Sequence, residues 1–382
     1  MEKPRSRGKS RRWLPGPGSG SLPGLRPVRG RAAFVLLAAA LIALPAALAA
    51  CSSPPTAGAA AGGKKAHGGY VVGFEEGFCA NSWRKEMLAA FNLEAKKYEQ
   101  EGIIKKTVVT CANGSIPGQI ANINTMIGEH VNAILLIANS GSAVVPVVTK
   151  ATNAGIVTVP FNLPLTGGSY DAYIGTNPCL KAQDNANNLV SYVKGKPGGI
   201  VALGGTPGNS YTEVGWACAQ KIITAAHIPV LTFRWAYWEP DTAKSVMSSV
   251  IASYPSISGI WSDGSQNCFG AEEALQAAGR ALVPCTGDDY NGLLKLWVQQ
   301  HARYPDFKIS AVPEPPAEES TLALRYAVQL LQGKKVPKQT TLHPPIITDA
   351  NVAKYVQMNL PDDVFDFSAP LTQAQLQHLF AG

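Results

Sequence analysis

From Tyr70 onward, short apolar runs alternate with longer segments in which apolar and polar positions recur at helical spacing. The apolar runs predict buried β-strands. The first four are YVVGF (70–74), KTVVTC (106–111), NAILLIA (132–138) and IVTVPF (156–161). The clearest amphipathic segment between them carries a stripe of Ile116, Ile120, Ile123 and Ile127. Continuous apolar strands that alternate with such helices indicate a parallel sheet covered on both faces.

The same alternation begins again near residue 172. Six further predicted strands each lead into a helical segment: AYIGT (172–176), GGIVALGG (198–205), VLTFRWA (230–236), ISGIWSD (257–263), ALVPCTGD (281–288) and FKISAVPE (307–314). Two successive sets of such units predict an α/β fold with two doubly wound lobes. In these folds ligands bind beyond the carboxyl ends of the strands, so the polar residues after the strands are the candidate site.

A long apolar run precedes this region. Ala32 to Ala50 are 19 residues without a charge, and nine Lys or Arg residues and one Glu come before them. A basic leader followed by an apolar core is the layout of an export signal. A run of this length could also span a bilayer, which takes roughly 20 residues, so an uncleaved anchor helix is the alternative.

The run ends at Leu48-Ala49-Ala50-Cys51, which resembles the lipobox of bacterial lipoprotein precursors. The resemblance implies that residues 1–50 are a signal peptide, removed before Cys51, and that the Cys51 thiol receives a diacylglycerol. Residues 51–69 contain few large apolar side chains, so we expect a flexible tether between the lipid and the folded part. The expected location is the outer face of the bacterial cytoplasmic membrane, or the periplasm.

The positive charge of the chain belongs to this leader. Of its 33 basic and 26 acidic residues, 24 and 25 lie beyond residue 50, which leaves the mature chain with a net charge of −1. A nucleic-acid-binding protein needs a basic excess, so we expect no nucleic-acid partner.

Seven cysteines are present, and six remain if Cys51 carries a lipid: Cys79, Cys111, Cys179, Cys218, Cys268 and Cys285. Outside the cytoplasm an even number favours disulfides, although six cysteines allow 15 pairings. Buried free thiols are the alternative. The chain has no Cys-x-x-Cys or His-x-x-x-His spacing, and we expect neither a metal nor a cofactor.

The segment from Ile120 to Asn162, with its isoleucine stripe, "VNAILL" strand and "PVV…A…AGI" helix, resembles the first lobe of periplasmic sugar-binding proteins of the ribose-binding type. IGTNPCLKAQ, IWSDGSQNCFGAEEAL and CTGDDYNG fit the same family in order. The resemblance covers roughly residues 70–345. It implies the type I periplasmic binding fold, with two lobes joined by three crossovers near 176, 313 and 343.

On this map the first lobe comprises residues 70–175 and 314–342, and the second comprises 176–313 and 343–360. The tail, residues 361–382, has no expected place. Pairing Cys79 with Cys111, Cys179 with Cys218 and Cys268 with Cys285 keeps every link within one lobe and leaves the hinge free. That pairing is the disulfide hypothesis.

A sugar presents apolar C–H faces and a ring of hydroxyls. Its site needs flat aromatic rings and forked polar groups that grip neighbouring hydroxyls. By position after strands and by the resemblance, the candidate ligand-binding residues are Asn81, Trp83, Arg84, Asn162, Glu213, Trp238, Asp263, Gln266, Asp288, Asn291 and Glu314. Each has a structural alternative: the tryptophans could be core residues, Asp288 and Asn291 could cap a helix, and Glu314 could be a turn residue among prolines.

One candidate departs from the family pattern. Ribose-type relatives carry an Arg after the Gly-rich turn of the second lobe, whereas GTPGNSYTEVG aligns Glu213 there. Replacing a donor by an acceptor changes which ligand the pocket accepts. Ribose is therefore not assumed, and an amino-bearing polyol becomes conceivable.

Together these features predict a lipid-anchored, monomeric receptor of an ABC importer that binds a monosaccharide or polyol and hands it to permease subunits. A sensory protein that signals to a chemoreceptor or a sensor kinase is the main alternative. A repressor would need a helix-turn-helix where the export leader lies. An enzyme would need a nucleophile or metal constellation, and the sequence has no G-x-S-x-G or P-loop pattern.

Overall fold

The computed structural model describes residues 68–365 and 370–381. The predicted signal peptide (1–50), the lipidation residue Cys51 and all but the last two residues of the predicted tether (51–69) lie outside the described residues.

Four parallel strands form the first sheet: β1 (Tyr70–Glu75), β2 (Ile104–Thr110), β3 (Ala133–Leu136) and β4 (Val157–Pro160). Their order across the sheet is β2-β1-β3-β4. The helices that alternate with them are α1 (Ser82–Gln100), α2 (Ile116–Gly128) and α3 (Val145–Asn153). Phe74 of β1 stacks on Phe91 of α1 with ring centroids 4.1 Å apart, and both rings are fully buried.

The first helix begins at an asparagine cap. The Asn81 side chain accepts a hydrogen bond from the backbone N–H of Arg84 at 3.0 Å, which satisfies one of the free donors of the first turn. The helix ends before Gly102, whose φ of 69° is a conformation that glycine adopts without strain. Trp83 and Arg84 are thereby fixed in the turn directly after the carboxyl end of β1.

The second sheet has six strands: β6 (Gly199–Gly204), β7 (Val230–Trp235), β8 (Ile257–Ser262), β9 (Cys285–Gly287), β10 (Ile309–Ala311) and β12 (Ile347–Thr348). Their order is β12-β10-β9-β8-β6-β7, and only β12 is antiparallel to its neighbour. Its helices are α4 (Pro178–Val193), α5 (Ser210–Ala225), α6 (Pro240–Ser253), α7 (Ser265–Ala277) and α8 (Asn291–Gln300).

The chain passes between these two parts three times. It leaves the first after β5 (Tyr173–Gly175), returns after β10 into α9 (Pro316–Leu331), which packs on α1, and leaves again after β11 (Gln339–Thr341), the partner of β5. We call the four-stranded sheet with α1, α2, α3 and α9 the first lobe, and the six-stranded sheet with α4 to α8 the second lobe. The predicted fold class is confirmed, whereas the residue boundaries predicted for the lobes stay a prediction.

All three predicted disulfides are present: Cys79–Cys111 in the first lobe, and Cys179–Cys218 and Cys268–Cys285 in the second. The last of these joins α7 to β9 inside the core. The C-terminal residues follow the second lobe and end in α10 (Gln373–Phe380), which lies against α1. Among the described residues, no helix has the length and apolar character that crossing a membrane requires.

Candidate ligand-binding cleft

A cleft lies at the carboxyl ends of both sheets. It has about 480 Å³ of open space, a figure that includes the solvent at its mouth. Nine of the eleven predicted site residues line it: Asn81, Trp83, Arg84, Asn162, Trp238, Asp263, Gln266, Asp288 and Glu314. The first four come from the first lobe, Glu314 from the second crossover and the rest from the second lobe, so both lobes contribute to one cavity.

Glu213 and Asn291 do not line the cleft, and the prediction is corrected for both. Glu213 lies on the exposed face of α5, because the preceding Tyr211 and Thr212 take the buried positions of that turn. The Asn291 side chain turns toward the C-terminal residues. Its amide donates to the carbonyls of Gln357 and Pro361, both at 2.9 Å, and its oxygen accepts from the Gln357 backbone.

Five residues that line the cleft were not predicted from the sequence: Ile137, Ala138, Leu163, Asn209 and Tyr211. Asn209 offered a signal, because it follows the Gly-rich turn after β6 and caps α5 by accepting from the Tyr211 N–H at 2.9 Å. Tyr211 lies only two residues from Glu213, the position that the resemblance favoured. The apolar residues look like ordinary core in the sequence.

Each tryptophan is oriented by a hydrogen bond. The Trp83 indole N–H donates to the Glu314 carbonyl at 2.7 Å, and the Trp238 indole N–H donates to Asp263 Oδ1 at 3.0 Å. Trp238 also needs room, because a Cβ added at Gly264 would lie 2.6 Å from its ring and one at Gly205 would overlap it. A ring that is fixed in this way presents a pre-formed flat surface to the cleft.

Arg84 lines the cleft from the first lobe. Its Nη1 donates to the Glu76 carbonyl at 3.0 Å, and its guanidinium lies 5.0 Å from the centre of the Trp83 ring. Burial lowers the pKa of Arg84 to about 10, against the opposing effect of Glu76. The side chain therefore stays charged at neutral pH, and its remaining N–H groups can donate to a ligand.

At the base of the cleft, the Glu314 carboxylate collects donors from several elements. Lys181 Nζ of α4 lies 3.1 Å from Oε2, the Tyr211 hydroxyl donates at 2.6 Å, and Asn162 Nδ2 donates to Oε1 at 3.0 Å. The Thr176 hydroxyl donates as well, at 2.7 Å. Four donors match the roughly four acceptor positions of a carboxylate, so Glu314 is satisfied within the protein.

The cation in this network was missed by the sequence analysis. Burial by itself would lower the pKa of Lys181, but Glu314 and Asp288 raise it, and the net shift is upward. Glu319 of α9 accepts from the same Asn162 amide at 3.0 Å. Burial and then Glu314 raise the pKa of Glu319 well above its usual range.

The second lobe supplies the acceptors that face the cleft. Asp288 Oδ1 accepts from the Ser265 backbone N–H at 2.8 Å, and Asp263 accepts from the Thr212 hydroxyl and from Trp238. Within the described part of the chain no donor reaches Gln266 Oε1, although Gln266 is only 1% exposed. Burial raises the pKa of Asp263 and of Asp288 to about 6, so both are mostly ionised at neutral pH.

The rims of the two lobes touch. The Gly141 N–H donates to Ser210 Oγ at 3.2 Å, and the Ser210 N–H donates to the Asn139 carbonyl at 3.3 Å. The Phe78 ring lies 6.2 Å from that of Trp238. Across residues 68–365 and 370–381 no group of His, Cys, Asp and Glu has the geometry to hold a metal ion. The arrangement suits enclosure of a small neutral molecule with apolar faces and many hydroxyls.

A family model described as "Periplasmic binding protein domain" matches residues 78–335. The ribose import binding protein of Bacillus subtilis is 23% identical over 278 residues, 72% of this chain and 86% of that protein. The xylitol-binding protein of Mycolicibacterium smegmatis is 25% identical over 244 residues, 63% of this chain and 68% of that protein.

Solved structures share the fold. An ABC transporter periplasmic solute-binding protein from Actinobacillus succinogenes with bound D-allose is 22% identical, with a TM-score of 0.64 over 75% of this chain and 100% of that one. The fructose-binding periplasmic domain of a hybrid two-component system is also 22% identical, with a TM-score of 0.62 over 75% of this chain and 92% of that one.

Proposed function

Since the chain belongs to the periplasmic binding protein family, we propose that it is a solute-binding receptor of an ABC importer and that it binds a monosaccharide or related polyol between its lobes. The observation that carries this proposal is the pair of indoles, one from each lobe, that line the same cleft as Arg84, Gln266 and Asp288. The relatives named above are binding proteins, in line with the expectation that this chain is not an enzyme.

The chemistry of the cleft suits a ring or short chain of hydroxyls. Trp83 and Trp238 cover the apolar C–H faces of the sugar. Arg84 donates paired hydrogen bonds to its hydroxyl oxygens, and Asp288 accepts hydrogen bonds from its hydroxyl groups. Gln266 does both, and its free oxygen is buried at the cleft. These groups come from opposite lobes, so only a closed form makes all the contacts at once, and the sugar stabilises that form.

The ligand proposed here is uncharged. The idea of an amino-bearing polyol depended on Glu213, which lies on the outer face of α5. Lys181 and Glu314 neutralise each other at the base of the cleft. An anionic ligand would be repelled by the ionised Asp263 and Asp288, whereas hydroxyls can donate to both carboxylates without bringing a further charge.

We also propose that Cys51 anchors the receptor to the outer face of the cytoplasmic membrane, beside its permease. The lipobox-like sequence before Cys51 supports this. The native chain expressed in a bacterium should then be found in the membrane fraction and take up labelled palmitate, whereas Cys51→Ala should abolish the label. A labelled Cys51→Ala chain would refute the anchor without affecting the binding proposal.

A thermal-shift screen of pentoses, hexoses, hexitols and inositols tests the ligand class. A ligand that binds only the folded state stabilises it by mass action, by about 2.7 kcal/mol at a hundred times its Kd, and so raises the melting temperature. Trp83→Ala and Trp238→Ala should each abolish the shift. Trp216→Ala is the control, because this ring packs on Phe233 and Trp261 outside the cleft. Unchanged affinity in both cleft variants would move the site elsewhere.

A sensory role is the second candidate, because the fructose-binding periplasmic domain of a two-component system has the same fold. Sugar capture and closure would be the same, but a receptor or kinase would recognise the closed form. Loss of uptake of the identified sugar in a deletion strain supports the importer, and intact uptake with lost sugar-dependent signalling supports the sensor.

A further inference from the structure

The C-terminal residues, which the sequence could not place, contact both lobes. We define the C-terminal strap as residues 357–365 and 370–381. Its first part is bound to the second lobe. The Asn291 N–H donates to the Val364 carbonyl at 2.8 Å and the Gly292 N–H to the Asp362 carbonyl at 2.9 Å, while Lys295 pairs with Asp362 at 2.9 Å.

Phe365 lies where the strap meets the first lobe. Its backbone N–H donates to Glu86 Oε2 of α1 at 3.1 Å, while its ring lies 5.9 Å from that of Tyr290 in the second lobe. Phe365 is fully buried and belongs to the main apolar core. One residue of the strap is thus packed against both lobes.

Helix α10 makes a second connection. It lies against α1 of the first lobe, near Ala89 and Leu93. Leu376 of α10 packs with Leu360 and Val364, which belong to the part of the strap bound to the second lobe. A Thr372 capping box fixes the start of this helix.

The strap passes close to the cleft. Tyr290 and Asn291 follow the carboxyl end of β9, and Glu86 lies in the second turn of α1, after the carboxyl end of β1. Burial and then Asp363 raise the pKa of Glu239 to about 7, whereas Lys85 of α1 lowers it. Glu239, in the loop that carries Trp238, is therefore within electrostatic range of both Asp363 of the strap and Lys85 of α1.

We propose that the C-terminal strap is a fourth connection between the lobes, and that Phe365 and α10 restrain their opening and so set the affinity for the ligand. A residue buried against both lobes cannot keep both contacts once the lobes separate, so opening must break them. The part of this inference that concerns affinity rests on the proposed function, whereas the part that concerns opening does not.

Hydrogen exchange without any sugar tests the restraint. The Gly141 and Ser210 amides donate across the rim from opposite lobes, so their exchange reports opening. We expect the two amides to exchange about tenfold faster in Phe365→Ala and in a chain that ends before residue 370. A tenfold increase corresponds to a minor open form that rises from about 1% to about 10% of the molecules. Small-angle scattering should show a larger radius of gyration.

Phe307→Ala is the matched control. Phe307 is equally large and only 1% exposed, and its carbonyl accepts from Trp297 within the second lobe. It should lower the melting temperature without specific acceleration of the two rim amides. Wild-type exchange in the folded strap variants, or equal acceleration in Phe307→Ala, would overturn the proposal. If Phe365→Ala fails to fold, the shortened chain decides. A failed sugar screen would leave this result untouched.

Discussion

Glu314 is the residue on which the base of the cleft depends. Its carboxylate takes donors from both lobes and from the first crossover, and its backbone carbonyl orients Trp83. Its cation, Lys181, has a side chain that is only 4% exposed. A buried pair of this kind contributes little net stability compared with an apolar pair, but removal of one partner leaves an uncompensated charge.

Lys181→Met should therefore lower the free energy of unfolding by about 3–5 kcal/mol. The double variant Lys181→Met/Glu314→Gln should recover part of the loss, because a neutral amide needs no cation. Urea unfolding of the four proteins of this cycle measures the coupling.

The exposed pair Lys196–Asp306 provides the comparison, with side chains 28% and 79% exposed. Lys196→Met should change stability by less than about 1 kcal/mol, since solvent screens such pairs. A Lys181→Met variant as stable as Lys196→Met would contradict the role given to the buried pair.

Affinity should depend on pH through Asp263 and Asp288. Burial raises the pKa of each to about 6, so both become protonated as the pH falls from about 8 to about 5. A protonated carboxyl accepts fewer hydrogen bonds from sugar hydroxyls, and it holds the Trp238 indole less well. Affinity should fall roughly tenfold, the scale of one hydrogen bond to a charged group.

Calorimetric titration with the sugar from the screen, at both ends of this range, measures the change. Asp288→Asn should bind more weakly at high pH and show a smaller pH dependence. An affinity that rises on acidification would show that the ligand requires the protonated carboxyls.

At the scale of elements, the site is built from short loops that follow strands. Cys79–Cys111 links the loop after β1 to the residue that follows β2. Cys79 lies two positions before Asn81, the cap of α1. Cys179–Cys218 ties α4 to α5, which also pack through Ala186 and Ala219. The first link therefore holds a loop, whereas the second reinforces two helices that are already packed together.

Replacement of either pair by serines should cost about 2–4 kcal/mol of stability, because each disulfide restricts the unfolded chain. Only Cys79→Ser/Cys111→Ser should also weaken sugar binding, since the loop before Asn81 and Trp83 is loosened. Melting curves and sugar titrations of both double variants separate the two effects. Equal sugar affinity in the two variants would mean that the loop keeps its conformation without the disulfide.

At the scale of the whole molecule, the proposed function makes binding and closure one event. The stacking rings and forked groups face each other only when the rims meet, as they do at Gly141 and Ser210. The energy of the contacts on both sides then stabilises one arrangement of the lobes.

A wedge at the rim should block this arrangement. Ser210→Trp should leave the fold intact, enlarge the radius of gyration and abolish high-affinity sugar binding, because the lobes can no longer meet. Ser253→Trp, at an exposed position at the end of α6, should behave as wild type. Scattering with and without sugar measures closure, and tight binding by Ser210→Trp would separate affinity from closure.

Much of the fold was determined by the sequence itself. Apolar runs such as NAILLIA and the stripe through Ile123 predict strands and helices because burial on one face or two imposes a period on the chain. The cleft residues at strand ends, among them Trp83, Trp238 and Asp288, were also predictable, because parallel strands place their carboxyl ends at one edge.

Only the tertiary structure decided the remainder. Lys181 lies in a helix 133 positions from Glu314, and no local pattern marks such a pair. Glu213 lies two positions from the lining residue Tyr211, and because successive helical residues are about 100° apart, a slip of two positions in the alignment changes the face. Asn291 is turned away by its hydrogen bonds to Gln357 and Pro361, which are distant in the sequence. The C-terminal tail is placed by its contacts with both lobes. The hydrophobic periodicity of a segment predicts its secondary structure but not which distant residues it will contact after folding.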